Sequence, residues 1–166
     1  MSVSLNISIL GASGFVGAEL IKLCLSHPHI NINSMSANSQ AGQKIILDTS
    51  VKLDDKYMLI NEINFNEVDY IFNCLPNINL HSLINSLPSH LRIIDLSADF
   101  RLDDINDYKQ WYGFDHSSSD KNNDFIYGLS ELNRKKIEDS INVANPGCYA
   151  SSVLFPLLPL LSSQLI

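Results

Sequence analysis

The stretch LNISILGASGFVGAELIKLCL, residues 5–25, decides the fold. It opens as a short β-like run and breaks at a glycine-rich turn. It then resumes with Leu20, Ile21, Leu23, Cys24 and Leu25 spaced as in a packed helix, which Pro28 stops. Gly11, Gly14 and Gly17 therefore stand between a strand and a helix, a GxxGxxG variant of the dinucleotide-binding fingerprint. Glycine allows the tight turn and lets a pyrophosphate approach the main chain. The N–H groups at the positive end of the helix then face the phosphates. The bland alternative is a strand-to-helix turn with no ligand.

Outward from this turn the pattern repeats. INSMS at 32–36, VDYIFNCLP at 68–76, LRIIDLS at 91–97 and INVAN at 141–145 read as further strands, with YMLI at 57–60 as a possible one. NLHSLINSLP at 79–88 reads as a helix, and CYASSVLF at 148–155 begins another that Pro156 is expected to kink or end. Residues 98–133 read as a polar, loop-like region. Alternating strands and helices predict an α/β fold, Rossmann-like and doubly wound, with a mostly parallel sheet.

The bulk numbers set bounds. A chain of 166 residues fits one domain, and a net charge of -7 argues against nucleic acid or an anionic membrane as the main partner. The N-terminus lacks the charged start of a secretory signal, and VLFPLLPLL is too short to span a membrane. The 3 cysteines are odd in number and contain no CxxC pair, which favours a reducing, cytoplasmic-type compartment and argues against a structural metal.

Two stretches carry chemistry. After the second strand, SMSANSQAG has no carboxylate to bind ribose hydroxyls or repel a 2′-phosphate. Ser36, Asn38 and Ser39, with Lys44 nearby, therefore favour NADP over NAD. In ANPGCYAS, residues 144–151, Pro146 and Gly147 make a sharp entry from strand to helix and put Cys148 in the first turn. A helix N-terminus stabilises a thiolate, and its N–H groups suit an oxyanion. Cys24 and Cys74 read instead as core. A thiolate beside a nicotinamide site points to acyl transfer onto sulfur followed by hydride reduction, with an acyl phosphate as a fitting substrate. Extended short-chain dehydrogenases share a similar glycine turn, but no tyrosine here is followed by their Tyr-x-x-x-Lys lysine. Phe15 likewise excludes a GxSxG elbow.

GASGFVGAEL, the Ala41-Gly42 pair, IIDLSADFRL, YGLSELNR and VANPGCYASSVLFPLLPLL together resemble the N-acetyl-γ-glutamyl-phosphate reductase family of arginine biosynthesis. The sister aspartate-semialdehyde dehydrogenases share the turn but not DLSADFR or NPGCY. The resemblance implies that Cys148 forms an acyl-enzyme. It implies that Gly11, Ser13, Gly14, Phe15, Val16 and Gly17 hold NADPH, that Ser36 and Asn38 meet the adenosine ribose, and that Pro76 lies near the nicotinamide. It places Arg101 and Asn145 at the substrate, with an Arg101 salt bridge to Asp99 or Asp103 as the alternative. Trp111, Tyr112 and His116 match a stretch near the substrate, where structural roles serve equally well.

Three departures accompany the match. Asn38 replaces a usual arginine, Leu75-Pro76-Asn77-Ile78 replaces Leu-Pro-His-Gly, and Pro156 is expected to shorten the helix after Cys148. The resemblance divides the chain into a cofactor domain, 1–147, and the start of a truncated second domain, 148–166. In the family that second domain supplies a catalytic histidine and the oligomer interface, so a homo-oligomer is expected only with it. A non-catalytic nucleotide-binding fragment is the other reading.

Overall fold

The computed structural model describes residues 4–47 and 55–166. The residues 5–25 stretch folds as read: Leu5–Leu10 is β1 and Phe15–Leu25 is α1, ending at Ser26 before Pro28. Ile30–Ser36 (β2), Tyr70–Asn73 (β3), Asn79–Ile84 (α2), Arg92–Asp95 (β4), Ile105–Tyr112 (α3), Phe125–Tyr127 (β5), Ser130–Glu138 (α4), Asn142–Ala144 (β6) and Cys148–Ser162 (α5) follow. The six strands form one sheet in the order β2-β1-β3-β4-β6-β5. Every pairing is parallel, so the expected "mostly parallel" sheet is wholly so.

Both faces of the sheet are covered, which is why its central strands are apolar on both sides. Ile7 and Ile9 pack with Ile21 and Cys24 of α1, while Leu10 and Ile71 pack on the other face with Ile63, Val68 and Leu83. Leu80 and Ile84 of α2 extend that second layer to Ile93, Phe125 and Ala144. The strand order reverses between β1 and β3. In a doubly wound sheet the carboxyl ends of the two strands flanking such a reversal frame the ligand crevice.

Three local expectations need correction. Residues 98–133 are not a loop: they hold α3, a 3₁₀ turn at Ser119–Asp124, β5 and the start of α4. These elements lack a broad apolar stripe, with Tyr108 the one buried residue of α3 and none buried in α4. Caps hold α3 instead. Asp104 accepts the Asn106 N–H at 2.7 Å, and Gly113 closes the helix at φ 78°.

Pro156 does not end the last helix, and α5 runs through Pro156 and Pro159 to Ser162. Each proline forfeits the bond to the carbonyl four residues back. Those carbonyls belong to Ser152 and Phe155, which are exposed, so water can take the place of the lost amides. YMLI is not a strand either. Met58 and Lys56 make only isolated bridges, to Ser36 and Lys44, before a 3₁₀ turn at Ile60–Glu62.

Candidate active site

The glycine turn is built against the reversal point. A Cβ on Gly11 (φ 73°) would lie 2.8 Å from the carbonyl carbon and oxygen of Cys74, and one on Gly17 would lie 2.6 Å from the Ala12 Cα. Both glycines serve the packing of the turn itself. Gly14 differs: its nearest neighbour would be the Gly11 oxygen at 3.5 Å. The space over Gly14 is open to a ligand, and a Cβ would begin to fill it.

Gly14 is also the N-cap of α1, which has no side-chain cap and no acidic residue in its first turn. Its first N–H groups are left for an anion. Phe15 and Val16 are exposed beside them, and Ser13 is half-buried. On the β2 side of the turn the Ala12 N–H donates to the Ser36 carbonyl at 2.8 Å. The Ser36 hydroxyl is buried and has no hydrogen-bond partner among the described residues. Asn38 is exposed and lines a cavity of about 560 Å³ together with Leu59, Ile60, Phe65, Leu83 and Ser86. The lining is mostly apolar, with Asn38 as a polar group at its wall. Another cavity, of about 300 Å³, lies at the amino ends of β4 and β6, lined by Ile93 and Asn142, and so at the wrong edge of the sheet.

The cysteine turn stands at the same carboxyl edge, after β6. Gly147 caps α5 with no side-chain cap, and Cys148 is the first helical residue. It is the one exposed free cysteine. Cys24 is buried and Cys74 half-buried, as their reading as core requires. Burial, with Asp95 and Cys24 adding to it, pushes the Cys74 thiol up to about 12.

Arg101 is not in an ion pair with Asp99 or Asp103. Its Nε donates to the Asn145 carbonyl at 2.8 Å and its Nη2 to the Leu96 carbonyl at 2.9 Å. A Cβ on Gly147 would lie 2.9 Å from its Nη1. Arg101 thus ties the loop after β4 to the turn before Cys148. Asn145 is exposed; its amide N–H donates to Asp95 O at 2.8 Å and its side chain to Pro146 O at 3.2 Å. Pro76 is exposed on the loop that packs against Gly11.

The middle of this edge is a buried polar network that the sequence reading did not single out. Asn73 Nδ2 donates to Asp95 Oδ1 at 2.7 Å, and the Ser97 hydroxyl donates to Asp95 Oδ2 at 2.8 Å. Burial still raises the Asp95 pKa against these donors. Asp99 receives the Tyr108 hydroxyl at 2.9 Å, and His116 Nε2 lies 2.7 Å from the Asp99 carbonyl. His116 is therefore a buried structural group, Tyr112 tilts against the Tyr108 ring at 5.0 Å, and Trp111 is 72% exposed on the surface. The signal available was two aspartates inside the apolar run LRIIDLSADF, since buried carboxylates imply donors arranged around them.

A doubly wound sheet, a glycine turn at its reversal point and a cysteine-headed helix on the same edge define a dinucleotide-binding domain with an exposed thiol at its ligand edge. Residues 6–140 match the family described as semialdehyde dehydrogenase, NAD binding domain, and the chain belongs to it. Among relatives, it is 40% identical over 164 residues to a probable chloroplastic N-acetyl-γ-glutamyl-phosphate reductase of Oryza sativa subsp. japonica, covering 97% of this chain and 40% of that one. It is 40% identical over 171 residues to the N-acetyl-γ-glutamyl-phosphate reductase of Ehrlichia chaffeensis, covering 100% of this chain and 49% of that one. The chain thus spans about half the length, or less, of these relatives. Aspartate semialdehyde dehydrogenase from Candida albicans, solved with NADP, shares the fold at TM-score 0.64 and 18% identity, over 96% of this chain and 47% of that one.

Proposed function

We propose that this chain is the cofactor-binding, nucleophile-bearing part of an NADPH-dependent reductase. It would convert N-acetyl-γ-glutamyl phosphate to N-acetylglutamate semialdehyde in arginine biosynthesis. The observation that carries the reading is the exposed Cys148 heading an uncapped helix at the sheet edge that also holds the glycine turn. The residues fit a dinucleotide: Gly14 and the open N–H groups of α1 would face the pyrophosphate, and Ser36 and Asn38 the ribose. The lack of a carboxylate after β2 supports NADP over NAD.

The Cys148 sulfur attacks the acyl carbon, phosphate leaves with the bonding pair, and a thioester remains on the protein. NADPH, when bound, supplies a hydride that reduces the thioester to the aldehyde and frees the thiolate. The first N–H groups of α5, left without a side-chain cap, would serve as donors to the developing oxyanion. Arg101 orients the cysteine turn, and its Nη1 would donate to a substrate carboxylate or phosphate, while Asn145 Oδ1 would accept a substrate N–H.

On this reading residues 1–147 form the cofactor domain, and α5 opens a second domain that completes the site in the relatives. Val153, Phe155 and Leu161 are 53%, 45% and 54% exposed, and no residue of α5 is buried. A helix apolar on all sides is normally covered. Homo-oligomerisation would use that second domain, and the compartment would be cytoplasmic or an organelle matrix. The other reading is a nucleotide-binding remnant without turnover.

Mass spectrometry after incubation with N-acetyl-γ-glutamyl phosphate separates the two. An acyl adduct on the Cys148 peptide, lost in Cys148→Ser, supports the reductase. Retained NADPH binding with no adduct supports the remnant.

A further inference from the structure

Two loops at the carboxyl edge are latched to each other. Asn77 Oδ1 accepts the Ala98 N–H at 3.0 Å, and in return both oxygens of Asp99 accept the Ile78 N–H, at 3.0 and 2.8 Å. Ile78 has φ 74°, the left-handed region, and immediately precedes α2. That conformation disfavours an ordinary L-residue by roughly ten-fold, and a β-branched one is a genuine outlier. Gly11 and Gly113 also adopt it, but as glycines they do so freely. Strain of this kind persists only where the surroundings over-determine it.

Asp99 is the surrounding group able to do so. Its side chain is wholly buried, and among the described residues no Lys or Arg pairs with it; its nearest basic atom is His81 Nε2 at 3.6 Å. A buried carboxylate is costly unless fixed donors surround it. Here the donors are the Ile78 N–H and the Tyr108 hydroxyl. The turn that this carboxylate holds runs back to Leu75, whose amide nitrogen lies 3.0 Å from where a Gly11 Cβ would stand. The loop that carries Asp99 runs forward to Arg101, which grips the Asn145 carbonyl.

We propose that Asp99 is a positioning residue. By holding Ile78 in the left-handed conformation it sets the Leu75-Pro76 wall of the cofactor crevice and couples that wall to the turn bearing Cys148. The proposal rests on the cofactor reading above and names a further residue for it.

The test is a double-mutant cycle on the full chain, with Asp99→Asn, Ile78→Gly and both together. Two readouts are taken: hydrogen exchange of the amide at position 78, and NADPH affinity of the folded fraction. Asp99→Asn should speed exchange at position 78 at least ten-fold while core amides of β1 stay protected, and should weaken NADPH binding about ten-fold. With Ile78→Gly present the same change should weaken binding less than three-fold, because a glycine needs no anchor there. Unchanged exchange at position 78, or strictly additive effects on affinity, overturns the proposal.

A wild-type chain that binds no NADPH sinks the cofactor reading, while the exchange arm still decides the latch. If Asp99→Asn does not fold, Asn77→Ala opens the reciprocal bond. Faster exchange over residues 75–78 then supports the latch, and no change overturns it.

Discussion

Gly14→Ala and Gly17→Ala test whether the turn is shaped for a ligand or only for packing. At Gly17 a methyl would meet Ala12 Cα, O and C at 2.6, 2.7 and 2.8 Å, all main-chain atoms that have no room to move. Overpacking of this kind costs about 1–3 kcal/mol, and three backbone contacts place it at the upper end. The better helix propensity of alanine returns about 1 kcal/mol. A net loss of about 2 kcal/mol remains, which moves a urea midpoint by about 1 M when the denaturant slope is about 2 kcal/mol per M. At Gly14 the nearest contact is an ordinary 3.5 Å, and φ −76°, ψ 167° suits alanine. Stability should fall by about 1 kcal/mol or less, the gap between glycine and alanine as N-caps. On the proposed reading the methyl nevertheless stands where a phosphate would approach. Losing one charge-assisted bond of about 1.5–3 kcal/mol should weaken NADPH binding ten-fold or more. The assays are urea unfolding followed by circular dichroism and NADPH titration by fluorescence. A Gly14→Ala chain that binds NADPH within two-fold of wild type refutes a phosphate site at this turn.

Three further predictions follow from the same edge. Arg101→Leu removes two bonds to carbonyls from a half-buried guanidinium; at about 1 kcal/mol each the urea midpoint should fall by about 1 M, whereas an arginine used only for substrate would leave it unmoved. Iodoacetamide at pH 7.5 should modify exposed Cys148 at least ten-fold faster than buried Cys24 or Cys74, whose thiol is pushed up to about 12, and equal rates in the folded protein would count against an accessible nucleophile. Burial holds His81 below the ordinary histidine pKa of 6.5 although Asp99 draws it the other way. The folded state thus prefers the neutral ring, so the His81 contribution is present above pH 6.5 and is lost as pH falls through 6.5 toward the lowered value. Unfolding free energy measured from pH 7 to 5 should decline less steeply in His81→Phe, and an unchanged slope would assign the acid sensitivity elsewhere.

What was legible in the sequence is what apolar periodicity and turn chemistry encode. β1, the glycine turn and α1 could be read residue by residue, because Ile7, Ile9, Ile21 and Cys24 share one core and the glycines punctuate it. Cys148 could be placed because Asn-Pro-Gly allows little but a sharp entry into a helix. The middle of the chain was opaque for the opposite reason. α3 and α4 bury a single side chain between them, so no stripe marks them; the caps Asp104 and Gly113 were the visible sign. The role of Arg101 was also hidden, since a sequence shows a guanidinium but not the carbonyls of Leu96 and Asn145 that it fills.

The loops that join crevice to cysteine are held by polar side chains bonded to main-chain groups of other loops: Asn77 to Ala98, Asp99 to Ile78, Arg101 to Asn145. Such bonds leave no periodic trace, because each depends on where two loops meet and not on what lies three or four residues away. They also explain how an edge made of loops can be stiff. A loop anchored only by its own turns opens locally at little cost. Opening any one of these must break bonds to the next. The proposed chemistry would need the thiol and the hydride donor held at one separation, and a chain of cross-loop bonds spanning β3, β4 and β6 would supply that constraint where the sheet itself has already ended.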